Sequence, residues 1–96
     1  MSEALFDYGQ LVATPGALGL LAEYHLNSLE FLNRHITGDW GDVDSSDAKA
    51  NELALSDGSR LFSSYRIGDT DKIWVITEAE FEGKRASTCI LLPSEY

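Results

Sequence analysis

Six carboxylates, Asp39, Asp42, Asp44, Asp47, Glu52 and Asp57, fall within nineteen residues of this chain and are opposed there only by Lys49. Carboxylates on a loop and the helix after it can imitate the phosphate track of a nucleic acid. They could then occupy the basic cleft of a DNA- or RNA-handling protein, with long-range attraction speeding capture at low salt. Asp39, Trp40, Asp42, Asp44 and Asp47 are the partner-binding surface this reading names, the carboxylates steering and Trp40 anchoring if exposed. A plainer use competes. Asp44 and Asp47 suit a helix N-terminus, a charge run is ordinarily a solvated face, and a loop tryptophan ordinarily packs on the core. Asp42, Asp44 and Asp47 also offer oxygen ligands of the kind Ca²⁺ takes. The twelve-residue loop with its central glycine and terminal glutamate is absent, so no metal is assigned.

A second set is His35, Arg60, Tyr65, Arg66, Thr77, Ser87 and Thr88. A ribonuclease needs an acid or base near the 2′-hydroxyl and cations for the charge developing on phosphate, roles His35 and the two arginines fill if they converge. Spacing alone does not bring them together, and a histidine in a helix's last turn is also favoured by the dipole. Cys89, in mid-strand, reads as a small buried hydrophobe with no adjacent base. His25 has no ligand-spaced neighbour. There is no glycine-rich phosphate loop, nucleophile elbow or basic amphipathic stretch, so neither a catalytic residue nor a cofactor is assigned.

The elements that must position these groups follow from periodicity and punctuation. Residues 10–14 (QLVAT) form a brief strand or an extended lead-in, stopped by Pro15-Gly16. Thr14 as N-cap and Pro15 at the first helical position open a helix over 15–24. Asn27 with Glu30 opens a second over 28–36, and Asp44 a third over 45–56, ended by Asp57-Gly58. Between the last two, 37–43 (TGDWGDV) has the glycines and aspartates of a tight loop. From Arg60 the period becomes two: a strand to Ile67, a turn at 68–71, a strand over 72–77, a turn at Gly83-Lys84, and a last strand over 86–92 ended by Pro93. Helices followed by strands, neither able to bury its apolar face alone, predict a two-layer α+β domain over 1–96. Its N-terminal helices should pack on one face of an antiparallel three-stranded meander.

At 96 residues and 10.6 kDa the chain has room for one core, and its 44% hydrophobic and 24% charged content is that of a folded domain. A formal charge of −9 has the wrong sign for direct binding to nucleic acid or an anionic membrane. A single cysteine excludes an internal disulfide, and Glu3 and Asp7 stand where a signal peptide carries positive charge. A cytoplasmic protein is therefore expected.

Ala13-Thr14-Pro15-Gly16-Ala17-Leu18, Phe31-Leu32-Asn33-Arg34-His35 with Gly38-Asp39-Trp40-Gly41, Asn51-Glu52, Gly58-Ser59-Arg60-Leu61, Trp74-Val75-Ile76-Thr77-Glu78-Ala79 and Leu91-Leu92-Pro93-Ser94-Glu95-Tyr96 span most of the chain. Together they resemble a family of small proteins carried on plasmids and other mobile elements, of uncharacterised activity and labelled plasmid-related proteins or restriction-modification subunits. The chain departs from that pattern at Glu80-Phe81, where the inserted Glu82-Gly83-Lys84 replaces a tighter acidic-basic hairpin turn. The resemblance implies a mobile-element setting. Joined to the charge, it gives the leading expectation: an acidic, non-enzymatic accessory protein that binds a protein partner with a basic nucleic-acid-binding surface. It would thereby inhibit a host defence of the restriction or CRISPR type by nucleic-acid mimicry. The alternative is a small ribonuclease or toxin using His35 and the strand arginines, since helices followed by a meander also describe RelE-like and barnase-like enzymes. A third expectation, homo-oligomerisation, follows from the edges an open sheet leaves for pairing.

Overall fold

Thr14 turns an extended backbone into a helix: its Oγ1 accepts the Ala17 N–H at 3.1 Å while Pro15 needs no partner for a missing N–H. A computed structural model describes residues 3–96 and places the helix so begun, α1, at Pro15–Glu23, after a short strand, β1, at Gln10–Ala13. The same logic starts α2 (Ser28–Ile36), where Asn27 Oδ1 accepts from Leu29 N–H at 2.9 Å. It also starts α3 (Ser45–Asp57), where Asp44 Oδ1 accepts from Asp47 N–H at 2.8 Å. Gly58, at φ +80°, stops α3 by turning its N–H back onto the Ala54 carbonyl. These boundaries match the sequence reading to within a residue, which is the spread that fraying ends produce.

Three strands follow, β2 (Leu61–Ile67), β3 (Asp71–Thr77) and β4 (Ser87–Leu91), then a single 3₁₀ turn at Pro93–Glu95. The α+β class holds, but the sheet is not the expected three-stranded antiparallel meander. It has four strands in the order β1-β4-β3-β2, with β1 parallel to β4 from Gln10↔Ser87 to Ala13↔Ile90. The lead-in run becomes an edge strand because β4 otherwise leaves one ladder of backbone groups open, and pairing satisfies them. Nothing local in residues 10–13 announces a partner so far along the chain.

Alternation puts Leu61, Ser63, Tyr65 and Ile67 of β2, Ile73, Val75 and Thr77 of β3, and Thr88 and Ile90 of β4 on one face. α1 and α2 cover that face, burying Ala17, Leu21 and Phe31 against Tyr65, Ile67, Ile73, Val75 and Ile90. The expected layout needs a second correction, because α3 does not lie flat on the sheet. It runs beside the outer edge of β2, where the Asn51 side chain donates to the Phe62 carbonyl at 2.7 Å and accepts the Phe62 N–H at 3.0 Å. A two-sided amide bond of this kind replaces a neighbouring strand. Its apolar side forms a second, smaller core in which Trp40, Ala54 and Leu61 pack with Phe6 and Val43.

Candidate binding face

The ribonuclease set is divided by the sheet. His35 is fully buried under α2, with Nδ1 2.6 Å from Ser63 Oγ and Nε2 2.9 Å from Thr77 Oγ1. Thr77 Oγ1 lies 2.6 Å from Thr88 Oγ1, which donates to the Tyr8 carbonyl at 2.7 Å. Each hydroxyl has one proton. Thr88 gives its proton to Tyr8, so Thr77 must give its own to Thr88 and accept from His35. The neutral imidazole therefore carries its proton on Nε2 and accepts from Ser63 at Nδ1. Burial first, and the Arg85 charge second, push its pKa down to about 4. Phe6 and Trp40 meet the ring edge-on at 5.3 and 5.8 Å and shut it from solvent. Arg60 and Arg66 are exposed, and Ser87 is half-buried at the start of β4. Sequence reasoning united His35, Thr77 and Thr88 but missed Ser63, whose signal was its in-facing place in the alternation of β2.

The loop between α2 and α3 carries the acidic set. Trp40 is in the core, 7% exposed, and its indole N–H donates to Glu52 Oε2 at 3.0 Å, so it anchors the loop and is not an exposed interface anchor. The loop backbone continues the sheet: Ser64 N–H donates to the Trp40 carbonyl at 3.1 Å and Asp42 N–H to the Ser64 carbonyl at 2.6 Å. Gly41 is required at this crossing. Its φ is +73°, and a Cβ there would stand 2.1 Å from the Ser64 oxygen. Tyr65, its pKa pushed up to about 12 chiefly by burial, donates its hydroxyl to the Asp39 carbonyl at 2.6 Å.

The carboxylates themselves are exposed and only partly free. Asp39 meets Arg34 Nε at 2.7 Å, and that hydrogen bond holds its pKa below the ordinary range. Asp42 stands 3.7 Å from Arg66 Nε, Asp44 caps α3, and Asp47 lies on the first turn of α3. Among the described residues no three His, Cys, Asp or Glu side chains gather as a metal site would require.

Among the described residues no α-helix lies on the other face of the sheet. Phe62, Ile76, Cys89 and Val12 form one row across all four strands, with Trp74 and Leu91 paired in the next. Phe62 meets Trp74 edge-on at 5.1 Å and 90°, and Trp74 meets Tyr96 at 5.6 Å and 70°. The C-terminal turn bends over this face, secured where Glu95 Oε1 accepts from Thr14 Oγ1 at 2.6 Å and from Leu92 N–H at 2.8 Å. Those bonds hold the Glu95 carboxyl below its ordinary pKa, the one to Thr14 foremost.

Arg85, unremarked in the sequence, is 4% exposed and donates to the carbonyls of Ser59 at 2.7 Å, Glu78 at 2.9 Å and Ala54 at 3.1 Å. It ties the end of α3 to the strand connections, with its charge favoured by the helix C-terminus. No described helix is long and apolar enough to cross a membrane. The chain matches no protein-family model, no curated protein and no solved structure.

Proposed function

We propose that the protein is a non-enzymatic binding module acting by contact with a protein partner whose surface is basic, of the kind that DNA- and RNA-handling proteins use to hold nucleic acid. The observation that carries this reading is the anchored acidic loop. Trp40 is buried beneath it and β2 pairs with its backbone, so Asp39, Asp42, Asp44 and Asp47 stand on a fixed support. Charges already held in place lose little conformational freedom when a partner arrives, and a net charge of −9 draws a cationic surface from a distance. The resemblance to mobile-element proteins supports a setting in which that partner belongs to a host defence of the restriction or CRISPR type, inhibited by occupation of its nucleic-acid cleft. His35 is buried on one face of the sheet while Arg66 is exposed on the other, so they do not converge as the ribonuclease alternative requires.

The test is capture from nuclease-treated host lysate at low and moderate salt, followed by kinetics on the captured protein with a variant carrying Asp42→Asn, Asp44→Asn and Asp47→Asn. Asparagine still caps a helix, so the fold should survive. Capture of a basic nucleic-acid-binding protein, released by salt and associating about tenfold more slowly with the variant, is the expected result. Association insensitive to both salt and the three substitutions would overturn the proposal.

A further inference from the structure

We infer that the uncovered sheet face is a second contact site, taking a segment of a protein partner that presents two apolar side chains flanked by lysine or arginine. This rests on the reading of a basic protein partner and names the part of that partner the acidic loop does not reach.

Two adjoining clefts, of about 300 and about 380 Å³, open on this face and share Arg60, Ile76 and Tyr96. Phe62 and Trp74 wall the first, with Asp47 at its lip. Cys89 and Leu91 wall the second, with Glu78 and Glu95 at its lip. Both are small for a dedicated ligand pocket, roughly 300–1,000 Å³, but together they suit two neighbouring side chains of one chain.

The chemistry of the rim chooses the occupant. Among the described residues Arg60 is the one cation lining either cleft, and its guanidinium is turned onto Tyr96, donating to the hydroxyl and standing 5.7 Å from the ring centre. Against its single positive charge stand the carboxylates of Asp47, Glu78 and Glu95, so the rim is negative on balance. Aromatic floors also stack nucleobases, but a nucleic acid would bring its phosphates against three carboxylates. An apolar segment with basic flanks satisfies floor and rim together. The edge-to-face pairs already fix the aromatic rings, so docking need not order them. Asp47 belongs to both surfaces, which makes the face continuous with the acidic loop.

A defined probe tests this without knowledge of the natural partner: the acetylated and amidated peptide Lys-Lys-Leu-Lys-Phe-Lys-Lys, titrated into ¹⁵N-labelled full-length protein. Expected are chemical-shift changes at the Trp74 indole N–H and at the amides of Phe62, Ile76, Cys89 and Tyr96. A control peptide with serine for leucine and phenylalanine should bind about tenfold more weakly. Asp47→Asn combined with Glu78→Gln, both exposed, should weaken the probe several-fold with the spectrum otherwise intact. Serine-control binding equal to the probe's, with shifts confined to 39–44, would remove the face and leave the charge reading standing. Probe binding on the face that ignores salt and the double variant would overturn the basic flanks. Tighter binding of a short oligothymidylate, or concentration-dependent shifts at these residues without peptide, would overturn the inference in favour of nucleic acid or a second copy of this chain.

Discussion

His35 illustrates how one buried residue ties stability to pH. Unfolded, it titrates near 6.5, whereas in the folded protein it is held at about 4, first by burial and then by Arg85. Between those values the unfolded chain binds more protons. Stability that is full above pH 6.5 is therefore lost progressively as the pH falls toward 4, by up to about 3 kcal/mol. Urea unfolding followed by tryptophan fluorescence at pH 7.5, 5.5 and 4 should show this loss in the native protein and a much flatter profile in His35→Gln. The difference between the two isolates His35 from Asp39, Asp57 and Glu95, whose lowered pKa values also favour the folded state but act at more acidic pH. Equal slopes would show that His35 is not held neutral. Long-range ¹H–¹⁵N spectra should also place its proton on Nε2. The residue types of this cluster were visible in the sequence, but their role was not. A histidine and two threonines have the same composition in a cleft as in a core, and only burial separates the two.

At the scale of the element, the outer edge of β2 is closed by side chain and loop, leaving β1 as the shorter, four-residue edge. An unpaired edge is a template for association, and the Asn51 amide and the backbone of residues 40–42 cover this one as well as hold the loop. Removing that amide strands the Phe62 N–H and carbonyl beside α3. Asn51→Ala should cost about 2–3 kcal/mol in denaturant unfolding and increase self-association in sedimentation velocity. An unchanged midpoint with an unchanged sedimentation profile would refute that role. The caps of all three helices were readable because capping is local, decided within a few residues by side-chain oxygens and free N–H groups. Asn51 was unreadable as an edge clamp, since its partner is eleven residues away on a different kind of element.

For the whole molecule, the closing contact joins the two ends of the described chain: β1 against β4, Thr88 to the Tyr8 carbonyl, and Thr14 to Glu95. A radius of gyration of 12.8 Å, beside about 12.5 Å expected for one domain of this length, agrees with a single packed body. The contacts at the seam are short and partly exposed, whereas β3 lies between two strands and under α2. Native-state hydrogen exchange should therefore find the amides of Ile73, Val75 and Ile76 opening only with global unfolding. Those of Val12 and Thr14 should open earlier, through local release of β1. Equal protection in both strands would mean that the seam opens only when the whole domain unfolds.

The sequence by itself determined what depends on near neighbours: the three helices, their N-caps, the stop of α3, the last three strands, the α+β class and the sign of the charge. Tertiary structure alone decided the fourth strand, the burial of Trp40 and His35, the pairing of Asp39 and Asp42 with arginines, and the open aromatic face. The division has a physical cause. Caps and periodicity act over a few residues and leave a local signature. Strand partners, burial and ion pairs depend on groups brought together from distant parts of the chain, and become definite only once the two cores have packed.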